Sequence, residues 1–210
     1  MKVQNMKRTS LGELIANAVS HGVGALLSIA GLVILLIIAD TNYELIASLI
    51  YGISLMILYF SSTLLHSFPE KMTRVFTVFQ RLDHSSIFIL ISGTYTPFLI
   101  VLLRTKEAYI MFGILWGLTI LGIVLKSIWI SKFQMVHLAI YLIMGWSILF
   151  IYKQAVPLLG STLIYVIVGG LFYTIGVAFY KSKFKYQHFV WHLFVLAGSI
   201  FHFISILMIY

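Results

Sequence analysis

The residues of this 210-residue chain best suited to chemistry are its histidines, seven in all. His188 and His192 are spaced i,i+4. On a helix that spacing stacks both imidazoles on one face, with Cβ atoms about 5–6 Å apart, so that the pair can chelate one ion. A third ligand must come from another element at the same depth. His66, His84, His21 and His137 all qualify by depth alone. His202 lies ten residues past His192, about 15 Å further along a helix axis, and reads as a hydrogen-bonded core histidine. Asp83 places a carboxylate at the level of the candidate ligands, where it can ligate a metal, orient a histidine or hold a water. Its simpler role is an ion pair with Arg81. Ser62 precedes His66 by one helical turn, so the two side chains point the same way. A serine there commonly bonds back to its own helix.

The chain has no cysteine, so thiolate chemistry and cysteine-based metal sites are excluded. Three histidines leave a fourth tetrahedral position open, the catalytic rather than the structural pattern. Water at such a position ionises near pH 7. A nearby carboxylate can take its proton and pass it to a leaving amine. The chemistry expected is hydrolysis of a carbonyl compound, reached from the lipid side.

The elements that hold these residues follow from composition. Hydrophobic residues make up 61% of the chain and charged residues 10%, and mean hydropathy is +1.04. A soluble domain carries about 25% charged residues, so there is too little polar surface for a soluble globule. Seven apolar runs are long enough to cross a bilayer: roughly 14–38, 45–66, 82–103, 108–128, 135–152, 158–180 and 188–209. The expected fold is all-α, a polytopic seven-transmembrane helix bundle forming a single domain over 1–210. The first run resembles a signal peptide with an Ala16-Asn17-Ala18 cleavage site. Only Leu11–Ile15 precede that site, too short an apolar region, so the segment is expected to be retained.

Lys and Arg set the orientation. Lys2, Lys7, Arg8, Lys71, Arg74, Arg81, Lys126, Lys132, Lys181, Lys183 and Lys185 fall on one side, and Arg104, Lys106 and Lys153 on the other. This asymmetry predicts a cytoplasmic N-terminus and an outside C-terminus, with the protein multi-pass in a cell membrane. The net charge of +8 then points to contact with anionic membrane lipids. Nucleic acid is not an expected partner, because no basic face carries interleaved aromatics. With this orientation every histidine except His202 falls in the cytoplasmic part of the bundle. Pro97 is expected to kink the third span and free a carbonyl. Gly24 with Ser28, and Gly113 with Gly117, are expected to permit close helix packing.

Glu13, the Ser20–Gly24 stretch, Ser62-Thr63-Leu64-Leu65-His66, the run from Asp83 through Ser92-Gly93-Thr94-Tyr95-Thr96-Pro97, and His188-Phe189-Val190-Trp191-His192 resemble the bacterial hemolysin III family. That family belongs with the progestin and adipoQ receptors, including the adiponectin receptors, and more distantly with alkaline ceramidases. The resemblance covers essentially the whole chain. It implies seven helices with an intracellular N-terminus. It implies zinc on His66, His188 and His192, with Asp83 and Ser62 near a metal-activated water. It selects His66 from the four candidates that spacing leaves open. It further implies a bacterial plasma-membrane location, and a ceramidase-like hydrolase of a lipid amide in the inner leaflet, or else a cytolytic or membrane-homeostasis protein that uses zinc structurally. The apolar character of helices 1, 2, 4 and 6 argues against a self-formed pore. A retinal pump is excluded because no lysine occurs from His188 to Tyr210. A transporter would place its polar groups at the midplane rather than at one edge.

Overall fold

The computed structural model describes residues 10–69, 71–129 and 133–210. Lys2, Lys7, Arg8 and Lys132 of the charge count lie outside them. Every regular element is helical: α1 (Leu11–Ile38), α2 (Asn42–Ser67), α3 (Thr73–Pro97), α4 (Lys106–Ile128), α5 (Gln134–Gly145), α6 (Tyr152–Leu159), α7 (Leu163–Lys181) and α8 (Gln187–Leu207). Six stretches among the described residues are long and apolar enough to cross a membrane.

Local chemistry explains where the helices begin and end. Ser10 and Glu13 form a capping box on α1: the Glu13 amide donates to Ser10 Oγ (3.3 Å) and the Ser10 amide to Glu13 Oε2 (3.0 Å). Thr41 and Glu44 repeat the device on α2, with bonds of 3.2 and 2.9 Å. Thr105 caps α4 through the Ala108 amide (3.2 Å).

Pro97 does not end its helix. The Pro97 nitrogen cannot donate to the Gly93 carbonyl, and the chain continues as a π-helical turn over Phe98–Leu103, giving one stretch Thr73–Leu103. Arg104, at φ 51°, closes it by donating its amide to the Leu99 carbonyl (3.1 Å). This stretch is the bundle's centre: Ser92 through Val101 are buried without a break.

The region expected to form spans 135–152 and 158–180 is a continuous apolar stretch, Gln134–Lys181, interrupted by 3-10 turns at Ser147–Ile151 and Gly160–Thr162. Pro157 inside α6 and Gly160 at φ 52° account for the second break. The phenol of Tyr95 on α3 pins the first. It donates to the Gly145 carbonyl (2.7 Å) and accepts from the Ile148 amide (2.9 Å).

Helix α1 packs on α2, α2 on α3, and α7 on α8, and α8 returns to α1. At one end, Arg104 lies over the Tyr43 ring (4.7 Å), Thr105 Oγ1 donates to Gln154 Oε1 (2.8 Å), and the Tyr210 phenol donates to the Glu44 carbonyl (3.1 Å). The ends of α2 and the starts of α1, α3 and α8 are thereby gathered at the opposite end. That end holds Glu13, His66, Asp83 and His188.

The two glycine pairs differ. A Cβ on Gly24 would overlap the Tyr59 ring, so α1 and α2 approach as expected. Gly113 and Gly117 are exposed and have nothing within 4 Å of a Cβ built on either. The close packing expected of this pair is not made with any of the described residues: their face of α4 points outward. We expect Gly24→Ala to lower the thermal midpoint of the detergent-solubilised protein by several degrees, because overpacking costs about 1–3 kcal/mol. Gly113→Ala should leave it unchanged. Parallel melts of the two variants check this.

Candidate metal centre

His66 sits in the last turn of α2, and His188 and His192 in the first two turns of α8. The i,i+4 pair has ring centroids 4.6 Å apart, and the His66 ring lies 4.9 and 5.0 Å from them. One ring nitrogen from each comes within 4.8 Å of the other two, a group that could hold a metal ion. Tetrahedral zinc with bonds of about 2.0–2.1 Å would hold its donors about 3.3 Å apart. The observed spacing is within a small side-chain adjustment of that.

The hydrogen bonds around the group test the fit. Nδ1 of His192 lies 3.2 Å from the Asn17 carbonyl and 3.1 Å from Ser20 Oγ. A carbonyl can only accept, so Nδ1 carries the proton and Nε2 keeps its lone pair. Nε2 of His66 is buried with no hydrogen-bond partner. A buried imidazole nitrogen left unpaired is costly, and a cation would satisfy it. The donor set fits a metal: neutral nitrogen ligands, one with its tautomer fixed from behind.

Helix α1 supplies that backing. Glu13, Asn17, Ser20 and His21 follow one another at helical spacing on one face. Glu13 Oε1 accepts the Tyr186 amide (2.6 Å), holding the chain where it enters α8. Tyr186 itself is left-handed, at φ 64°. Ser20 also donates to the Asn17 carbonyl (2.9 Å). His21 stacks on the His192 ring, with centroids 3.5 Å apart, and is only 3% exposed. It lies beside the three-histidine group and does not belong to it. Spacing on α1 is the signal that could have singled out Asn17.

The other candidate histidines stay outside the three-histidine group. His84 turns Nδ1 to its own helix, donating to the Gln80 carbonyl (2.7 Å). His137 packs edge-on to Phe88. His202 donates from Nε2 to the Val166 carbonyl (3.1 Å), the core role expected of it. Asp83 forms no ion pair with Arg81 among the described residues. Ser62, Asp83, His84, His188 and His192 line one cavity of about 160 Å³. Ser61 and Thr63 on either side of Ser62 bond back to α2, at 2.6 and 2.7 Å, whereas Ser62 faces the cavity. The cavity shares Thr94, Tyr95, Trp146 and His202 with a second one of about 300 Å³, walled by Phe98, Ile148, Leu149 and Val156.

Because Ser20 is one of two groups holding His192, Ser20→Ala should weaken metal affinity by about tenfold, the low end for loss of such a partner, since the Asn17 carbonyl remains. Chelator competition on the purified variant and wild type measures this.

A family model described as "Haemolysin-III related" matches residues 12–203. "Hemolysin-3" of Bacillus cereus is 41% identical over 201 residues, covering 93% of this chain and 90% of that protein. "Hemolysin-3 homolog" of Bacillus subtilis (strain 168) is 39% identical over 203 residues, covering 94% of each. The human "Monocyte to macrophage differentiation factor" is 30% identical over 198 residues, covering 91% of this chain and 82% of that protein. With its long apolar helices and these relatives, this multi-pass membrane protein belongs to the haemolysin-III related family.

Proposed function

We propose that this protein is a zinc-dependent hydrolase of a lipid amide, ceramidase-like, working at the inner leaflet. The observation that carries this reading is that Ser62, Asp83, His188 and His192 line one cavity whose remaining wall is largely apolar. In the proposal His66, His188 and His192 hold the zinc. When bound there, zinc polarises a carbonyl and acidifies water. Asp83 takes the proton from the attacking water and returns it to the amide nitrogen. Water thus adds across the C–N bond, and a carboxylic acid and an amine leave. Ser62 orients the water through its hydroxyl. Leu58, Ile87 and Leu90 beside the site, and the apolar second cavity beyond, receive the hydrocarbon chains.

The proposal includes seven membrane passes with the N-terminus cytoplasmic. The stretch Gln134–Lys181 has 48 residues, over twice the ~20 that one crossing needs. Trp146 Nε1 donates to Thr174 Oγ1 (3.0 Å), which supports a chain that doubles back between them. The Lys and Arg asymmetry supports the sidedness, and puts the histidine end beneath the inner headgroups.

A second reading, a cytolytic or membrane-homeostasis protein with a structural metal, draws on the hemolysin name of the two Bacillus relatives. Elemental analysis should find about one zinc per wild-type chain, the content of a mononuclear site, and little in His188→Ala. Asp83→Ala should keep the zinc and lose about 10²–10⁴-fold in ceramide hydrolysis, the usual contribution of a general base. Absence of turnover on any lipid amide or ester, with zinc bound, would favour the second reading. Ion leakage from protein-loaded liposomes without cleavable lipid would assign cytolysis to the protein itself.

A further inference from the structure

The cavity also contains a buried cation that the metal centre does not use. Lys126 lies in the last turn of α4 and is 3% exposed. A lysine so near a helix end ordinarily runs its four-carbon stem outward and leaves the ammonium in water. Lys126 instead lines the cavity. Among the described residues Asp83 is the only carboxylate that lines the cavity, and none comes within ion-pair distance of Lys126. Two more groups reach the cavity from α5. They are Gln134 and His137, the latter 2% exposed with Nδ1 unpartnered. Neither α4 nor α5 contributes to the three-histidine group.

An ammonium turned toward a largely apolar cavity, with no carboxylate of the described residues within ion-pair distance, is stabilised by an anion brought to it. We infer that Lys126, with Gln134 and His137, forms a subsite for the anionic headgroup, carboxylate or phosphate, of a single-chain amphiphile whose hydrocarbon occupies the apolar remainder of the cavity. Lysine captures such a group as a point charge, with the amide and imidazole adding directional hydrogen bonds. The apolar walls around Leu90, Ile91 and Leu138 and the adjoining second cavity favour a lipid over a free ion. The subsite does not require that hydrolysis occur.

Equilibrium binding of radiolabelled palmitate to the full chain in neutral detergent tests the inference. Hexadecyl phosphate, 1-hexadecanol and inorganic phosphate serve as competitors. Wild type should prefer palmitate and hexadecyl phosphate over hexadecanol by about tenfold or more, the worth of a charged hydrogen bond. Lys126→Met should abolish that preference and leave hexadecanol binding unchanged, while Lys126→Arg should retain it. His188→Ala should also retain it, which separates capture by lysine from capture by a metal. Equal binding of palmitate and hexadecanol to wild type would overturn the inference, whatever the variants do. So would a preference that survives Lys126→Met, or one that is lost in His188→Ala. Competition by inorganic phosphate as strong as that by hexadecyl phosphate would overturn the lipid assignment.

Discussion

The hydrogen bond from His192 Nδ1 to the Asn17 carbonyl is the contact on which the site's arrangement depends (3.2 Å). It crosses between the first and last helices of the chain, so it requires the bundle to close. It also decides the chemistry of the ring, because donating from Nδ1 leaves Nε2 able to bind a cation. The Glu13 carboxylate makes the companion contact one turn earlier, on the Tyr186 amide (2.6 Å). These two bonds fix the entry of α8 against α1. The ring pair on α8 then faces the end of α2, where His66 waits.

The rest of the bundle meets the same demand, that polar groups in an apolar interior find partners inside the protein. Many buried hydroxyls satisfy it locally. Ser28, Ser54, Ser61 and Thr96 each donate to a carbonyl of their own helix, at 2.6–2.8 Å. Others tie helices together: Tyr59 and Tyr173 both meet Ser199 Oγ (2.7 and 2.8 Å), and Ser92 meets Thr119 (2.7 Å). Against that background the unpaired groups stand out by location. Nε2 of His66, both nitrogens of His21 and Nδ1 of His137 are buried without partners, and all three rings belong to the histidine end of the bundle, as do the unpaired Asn17 Oδ1 and Gln187 Oε1; Tyr51, His202 and Ser205 carry the others elsewhere. The cavity and its uncompensated polarity coincide there, which is the usual mark of a binding site rather than of a packed core.

The outward surface follows the opposite rule. Leu26, Ile37, Ile114, Ile120 and Phe150 are exposed, and they would be unstable in water over so large an area. Lipid tails remove the penalty. Gly113 and Gly117 belong to this surface, which explains why a motif associated with close packing has no partner among the described residues.

Much was legible in the sequence because it depends on amounts and on short spacings. The shortage of charge makes a membrane protein unavoidable, and the lengths of the apolar runs mark out the long helices. The i,i+4 spacing of His188 and His192 makes a chelating pair on any helix. Several features depended on which distant surfaces meet. Depth along a span left His66, His84, His21 and His137 equivalent, and only the crossing of α2 and α8 brings His66 to the pair while His21 stacks behind it. The inward turn of Lys126 was likewise hidden, since a lysine near a helix end has water within reach in one dimension. Linear spacing fixes which side chains share a face of one helix. It carries no information on the rotation of that helix about its axis relative to its neighbours, and that rotation is set by packing such as Gly24 against Tyr59.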